Sequence, residues 1–173
     1  MAPTERGEAR LRRLLAEVAV ERVSLGRIAA DVESTRGRSD VRERPWLAVL
    51  AVDLHGYYTC AESIFERVAR DLDGDLRGGA EWHKELLARM AIEIPAVRPT
   101  LVSAEATAEF RELLRLRHFV RRAYAVEFDA RRVLEHADRL LRLHPIFARD
   151  LDAFVAFLAA TADAARSGVS SSR

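Results

Sequence analysis

The apolar residues of this chain recur at intervals of three and four residues over most of its length, which is the spacing of amphipathic α-helices. A first long segment, residues 4–35, keeps this spacing through Leu11, Leu14, Leu15, Val18, Val23, Leu25 and Ile28. A second segment begins near Pro45 and continues toward Leu72, and a third covers about residues 80–92. No stretch alternates between apolar and polar residues as a β-strand does. The pattern therefore predicts an all-α protein.

Helix-breaking and helix-capping residues mark where the predicted helices begin and end. The segment from Arg36 to Asp40 interrupts the first helix, and Asp40 is expected to cap the second. Ser103 is expected to cap a fourth helix that ends near Ala125, and Asp129 a fifth that ends near Leu143.

Pro145 is then expected to open a sixth helix that ends near Ala165, because proline is favoured in the first turn of a helix. Residues 167–173 are expected to form a disordered tail. We therefore predict a single domain, residues 1–166, folded as an antiparallel bundle of about five to six helices.

Composition adds limits to this picture. The chain has 173 residues, of which 49% are apolar and 32% charged, as in an ordinary globular domain. The net charge is only +1, so no bulk field draws the chain to nucleic acid. Cys60 is the only cysteine, and no histidines and acids have the spacing of metal ligands. We therefore expect no metal and no cofactor. We also expect the protein in the reducing cytoplasm, because the first residues contain no apolar run and a single cysteine forms no disulfide framework.

The end of the fourth predicted helix concentrates positive charge. On a helical wheel, Arg117 and Arg121 fall on the apolar face that is formed by Phe110, Leu113, Leu114, Val120 and Tyr124. A neighbouring basic ridge consists of Arg111, Arg115, His118 and Arg122. Such a ridge is either a solvated face paired with acids or a binding surface for phosphates. Arginines on an apolar face indicate buried ion pairs, a cleft or a subunit interface.

Several stretches, taken in order along residues 40–165, resemble the HepT-like proteins of the HEPN superfamily. The stretches are His55–Tyr58, Glu62, Ile64–Arg67, Trp82–Leu87, Arg98–Pro99 and Phe119–Tyr124. HepT-like proteins are small helical toxin ribonucleases that pair with a minimal nucleotidyltransferase antitoxin. Their motif places a histidine five residues after an arginine, and a tyrosine two residues after the histidine. Arg117 and Tyr124 match this motif, but the histidine position holds Arg122.

The resemblance implies a homodimer in which the motifs of two subunits meet, and a metal-independent cut that uses the 2′-hydroxyl of the RNA as nucleophile. It also implies that Tyr124 accepts AMP from the antitoxin. Histidine suits proton transfer near neutral pH, whereas arginine stays protonated and can only hold a phosphate. Loss of one acid–base group typically costs about 10²–10⁴-fold in rate. The resemblance therefore predicts a type VII toxin scaffold that is weak or inactive as a ribonuclease.

Three alternatives stay open. His118 lies one helical turn before Arg122 and is a candidate to replace the motif histidine, with Arg121 in a supporting role. The chain is otherwise a non-catalytic module that binds the antitoxin or RNA. The last alternative is a purely structural bundle whose arginines are ion-paired.

Overall fold

A computed structural model describes the backbone of residues 3–74, 82–122 and 129–170, and within these ranges the side chains of residues 6–74, 82–115 and 129–167. The described residues form five helices, which are α1 (Pro3–Arg36), α2 (Arg44–Val68), α3 (Trp82–Met90), α4 (Ala104–Arg122) and α5 (Ala130–Ser170). A π-helical turn, Ala69–Asp73, extends α2. None of the described residues forms a strand beyond an isolated bridge between Ile94 and Arg98. The prediction of an all-α bundle is confirmed.

The two long helices α1 and α5 lie antiparallel along most of their length. Their ion pairs run in opposite directions along the two helices, and these are Arg12–Asp163, Arg22–Asp152 and Arg36–Asp138. Helix α2 is also antiparallel to α1, since Glu17 and Glu21 near the middle of α1 bind Arg67 near the end of α2. These pairs set the register, while the buried apolar faces supply most of the stabilisation.

Three phenylalanines join α2, α4 and α5 in the core. Phe65, Phe110 and Phe147 are at most 1% exposed and pack edge to face, with ring centroids 4.8–5.9 Å apart. Edge-to-face contacts add stabilisation to the apolar area that these rings bury. These contacts fix the position of α4 against α2 and α5.

The caps of the later helices are as predicted. The hydroxyl of Ser103 accepts a hydrogen bond of 3.3 Å from the Ala106 N–H at the start of α4. The carboxylate of Asp129 accepts bonds from the N–H groups of Arg131 and Arg132 at the start of α5. Each side chain satisfies amide groups that have no partner within the helix.

The prediction that Asp40 caps α2 is wrong. The residue at the N-cap is Glu43, which makes no capping bond through its side chain. The Asp40 carboxylate instead binds the guanidinium of Arg38 at 2.8 and 2.9 Å and the indole N–H of Trp46 at 3.1 Å. Arg38 also lies over the Trp46 ring, 3.6 Å from its centroid, so the carboxylate is held in a polar–aromatic corner ahead of the helix.

The expected break at Pro145 is also wrong, because Pro145 lies inside one continuous helix, α5. Proline removes one helical hydrogen bond. An unbroken series of buried residues, Leu140, Leu143, Phe147, Leu151, Phe154 and Leu158, continues on both sides of it. Burial of this series holds the helix together across the proline.

Two smaller expectations also differ from the structure. Val23 was expected to follow the apolar face of α1, but its side chain is 70% exposed. Helix α5 extends to Ser170, past the expected start of the tail at Ser167. Residues 171–173 lie outside the described residues.

Candidate functional site

The apolar face of α4 packs into the core as the wheel predicts. Phe110, Leu113 and Leu114 are 0%, 2% and 4% exposed. Arg117 and Arg121, expected on the same face, belong to the helical backbone of α4, but their side chains lie outside the described residues. The same is true of His118 and Arg122, and Tyr124 lies outside the described residues altogether. The structure thus describes the helical backbone at residues 117–122 but not the side chains of the predicted motif.

The first half of the predicted basic ridge is exposed at the surface of α4. The Arg115 guanidinium binds the Glu112 carboxylate at 2.6 Å and is 75% exposed. Arg111 is exposed and has no carboxylate partner among the described residues. An exposed pair such as Arg115–Glu112 contributes little to stability and opens readily for a competing anion. Within the described residues, the interpretation of the ridge as a set of structural ion pairs therefore fits Arg115 in part and finds no support at Arg111.

A groove of about 370 Å³ lies between α3 and α4, next to this ridge. It is lined by Lys84, Leu87, Ala88, Arg111, Leu114 and Arg115. The lining thus combines three cationic side chains with an apolar floor and, among the described residues, contains no acid. We refer to it as the α3–α4 groove. Sequence reasoning did not find it, because the spacing within a helix does not say which other helix lies beside it.

The start of α3 is held by a buried carboxylate on α2. Glu62 is 5% exposed, and its carboxylate is hydrogen-bonded to Nδ1 of His83. The Trp82 ring lies on the His83 ring with centroids 4.0 Å apart. The Trp82–His83 pair therefore forms a packed and hydrogen-bonded corner at the start of α3.

The end of α3 is held by a second buried cluster. The Asp73 carboxylate binds Nε of Arg98 at 2.7 Å and Nε of Arg89 at 2.7 Å. The other donors of Arg98 bind Asp73 Oδ2 and the carbonyl groups of Ile92, Pro99 and Arg89. Both side chains of the Arg98–Asp73 pair are 0% exposed. An arginine buried in this way needs all of its donors satisfied, and here they are.

Two further histidines, His136 and His144, are not part of the lining of the groove. The Tyr57 hydroxyl and Nδ1 of His144 are joined by a hydrogen bond of 3.1 Å between α2 and α5. Burial, and then the charge of Arg22, lower the pKa of His144 below its ordinary value. Burial also lowers the pKa of His136, with Arg139 and Arg132 adding to the effect. These groups favour the neutral state inside the bundle.

Cys60 is buried against α1 and makes no reactive thiol. Its Sγ lies 3.0 Å from a carboxylate oxygen of Glu21, and burial raises the pKa of the thiol to about 12. The thiolate that a nucleophile or metal ligand requires is therefore disfavoured. Among the described residues no cluster of three or more histidine, cysteine or acidic side chains could hold a metal ion. None of the described helices is long and apolar enough to cross a membrane.

Comparison with known proteins gives one family. A family model described as HepT-like protein matches residues 49–158, which is more than half of the chain. The match includes nearly all of α2, all of α3 and α4, and most of α5, and it leaves α1 outside. No curated protein and no solved structure matches.

Proposed function

The chain belongs to the HepT-like family, and on that premise we propose that it is the toxin component of a type VII toxin–antitoxin pair whose ribonuclease site is incomplete. The observation that carries the proposal is the sequence at the motif, where Arg117 and Tyr124 stand at the arginine and tyrosine positions and Arg122 at the histidine position. The structure supports the proposal through the helix that carries the motif. Helix α4 is helical through Arg122, and its apolar face is anchored in the core.

The chemistry of the family explains why position 122 matters. In this kind of cleavage a base takes the proton of the 2′-hydroxyl, the 2′-oxygen attacks phosphorus, and the bond from phosphorus to the 5′-oxygen breaks as an acid protonates that oxygen. Histidine can fill either role because its pKa lies near neutral pH. Arg122 can stabilise the charge on the phosphate but cannot accept the proton. The proposed result is RNA binding with little or no cleavage.

The proposed assembly is a homodimer in the cytoplasm, with the two copies of α4 near the two-fold axis. A symmetric arrangement would bring Arg117 and Arg121 of both copies to one phosphate-sized groove. Tyr124 is the proposed AMP acceptor for a minimal nucleotidyltransferase antitoxin. A phosphate-bearing group on Tyr124 would occupy the cleft between the two copies of α4 and exclude RNA.

A second candidate function is favoured by the same substitution. Without a proton-transferring group at position 122, the chain would serve as a non-catalytic module that binds the antitoxin or RNA. Against this stands His118, which the helical period places one turn before position 122, on the same side of α4. If His118 takes the role of the motif histidine, the chain as given is an active ribonuclease.

The membership of a toxin–antitoxin pair is tested with a nucleotidyltransferase encoded beside this chain. The two proteins are incubated with ATP and Mg²⁺, and the mass of this chain is measured. We expect the mass of one AMP to be added to the parent and none to Tyr124→Phe, with Tyr58→Phe as the control. An unchanged mass of the parent, or an addition that persists in Tyr124→Phe, would contradict the assignment.

A further inference from the structure

We propose that the α3–α4 groove is a binding subsite for one nucleotide of a single-stranded RNA, with the phosphate held by Arg111 and Arg115 and the base placed over Ala88. The inference rests on the proposed RNA-binding function and adds to it a second place of contact, away from the motif residues.

The charge of the lining selects an anion. Arg111, Arg115 and Lys84 border the groove, and none of its lining residues within the described ranges is acidic. The nearby Glu112 carboxylate is engaged by Arg115 at 2.6 Å on the exposed side of α4. Arginine presents a planar fork of donors that matches phosphate oxygens, and lysine adds a point charge. The two arginines at one opening therefore favour a phosphate over a neutral ligand.

The floor selects a flat apolar group joined to that anion. Leu87 and Leu114 are 2% and 4% exposed, and Ala88 stands exposed between the cations with only a methyl group. The volume of about 370 Å³ falls at the lower end of the range for small-molecule sites, about 300–1,000 Å³. A nucleotide has both the size and the combination of a flat base with a phosphate. A bare phosphate would leave the exposed methyl group of Ala88 uncovered.

The position on α4 connects the groove to the motif. Arg122, the residue at the histidine position of the motif, falls in the helical period on the same ridge of α4 as Arg111 and Arg115. It follows Arg115 by seven residues, which is about 10.5 Å along a helix at a rise of 1.5 Å per residue. One strand of RNA bound in the groove would therefore pass along this ridge toward position 122.

Helix α3, which forms one wall of the groove, is fixed at both ends. Helix α3 presents Lys84, Leu87 and Ala88, and its two ends are tied down by the Glu62–His83 bond and by the Arg89–Asp73 ion pair. Side chains presented from a fixed helix lose less freedom on binding than side chains of a loop.

The test measures the binding of a short, fluorescein-labelled single-stranded RNA by anisotropy over a series of salt concentrations. Each phosphate contact that is lost should lower the slope of log K against log salt by about 0.7. We expect this change for Arg111→Ala and not for Arg27→Ala, which removes an equally exposed arginine on α1, a helix that packs on α2 and α5.

The apolar floor is tested separately by a plug. Ala88→Trp should weaken RNA binding about tenfold by filling the place of the base, with the salt slope unchanged. The control is Ala30→Trp, which adds the same bulk at an exposed alanine of α1. Inorganic polyphosphate, which has no bases, should bind to Ala88→Trp as to the parent. Far-ultraviolet circular dichroism verifies that each variant is folded.

The outcomes separate this inference from the proposed function. If Arg117→Ala weakens RNA binding while Arg111→Ala and Ala88→Trp leave it unchanged, the RNA function stands and the groove is not a subsite. If Ala88→Trp weakens RNA and polyphosphate equally, the groove holds phosphate alone and the placement of the base is wrong. If the groove variants lose only the binding of an acidic protein partner, the groove is a protein-docking site. If the parent binds no RNA, both proposals fail.

Discussion

Arg98 shows what a single residue does for the frame of the groove. Its side chain and that of Asp73 are 0% exposed, and they are joined at 2.7 and 2.9 Å. Arg98→Ala would leave the buried Asp73 carboxylate with Arg89 as its remaining partner, and it would remove the donors to the carbonyl groups of Ile92, Pro99 and Arg89. Because Arg89 still compensates part of the charge, we expect a cost near the lower end of the about 3–5 kcal/mol that breaking a buried pair takes. Arg98→Ala should therefore lower the free energy of unfolding by about that amount in urea denaturation.

The matched control is Arg131→Ala, because Arg131 and its partner Glu135 are 79% and 63% exposed. A pair so accessible to water contributes at most about 1 kcal/mol. Equal losses for the two variants would show that burial of the Arg98–Asp73 pair has no special weight.

His144 should make the bundle less stable in mild acid. Because burial lowers its pKa in the folded state below the ordinary value of 6.5, the unfolded chain binds its proton more readily. The stabilisation is complete above about pH 6.5 and is lost as the pH falls through the lower pKa of the folded state. We expect the free energy of unfolding to decrease from about pH 7.5 to about pH 5.5, and to decrease less in His144→Gln. An identical pH dependence of the two proteins would contradict this role.

At the scale of the helices, Pro145 lowers the stability of α5. This proline is exposed and removes a hydrogen bond from the middle of a continuous helix. Pro145→Ala should raise the free energy of unfolding by about 1–3 kcal/mol, measured by urea denaturation. The reverse change at another exposed position, Ala156→Pro, should lower it by about 3 kcal/mol or more. A loss of stability in Pro145→Ala would mean that the proline sets a bend on which the packing depends.

The elements that local chemistry determines were predictable from the sequence. Ser103 and Asp129 cap α4 and α5 because a short polar side chain before an apolar-periodic segment satisfies the first amides. The same local rules, applied to Asp40 and Pro145, gave predictions that are wrong. In each case a tertiary contact decides: Arg38 and Trp46 take the Asp40 carboxylate, and the buried face of α5 continues past the proline.

The candidate site was predictable only along one helix. The wheel placed Phe110, Leu113 and Leu114 in the core correctly, since their periodicity is a property of α4 alone. It could not indicate that Lys84 on α3 faces Arg111 and Arg115 across a groove. The same limit applies to the bond between Glu62 and His83, which are far apart in sequence and meet only when α2 and α3 pack.

At the scale of the whole molecule, the proposal requires a homodimer. Arg117 and Arg121 lie at positions of α4 that the helical period aligns with its buried face, and a second copy would turn that end of the helix into a shared cleft. Light scattering at micromolar concentration should give twice the chain mass of 19.5 kDa. A stable mass of 19.5 kDa under these conditions would count against the shared site.

The measurement that tests the central claim most directly is metal-free RNA cleavage, with EDTA present, by the chain as given and by Arg122→His. We predict that the unaltered chain binds RNA without cleaving it. Arg122→His should cleave RNA at least about 10²-fold faster, because histidine restores a group that transfers protons near neutral pH. Arg117→Ala in the Arg122→His background should remove this cleavage through loss of phosphate stabilisation. Robust cleavage by the unaltered chain would contradict the account, and its loss in His118→Ala would then assign the proton transfer to His118.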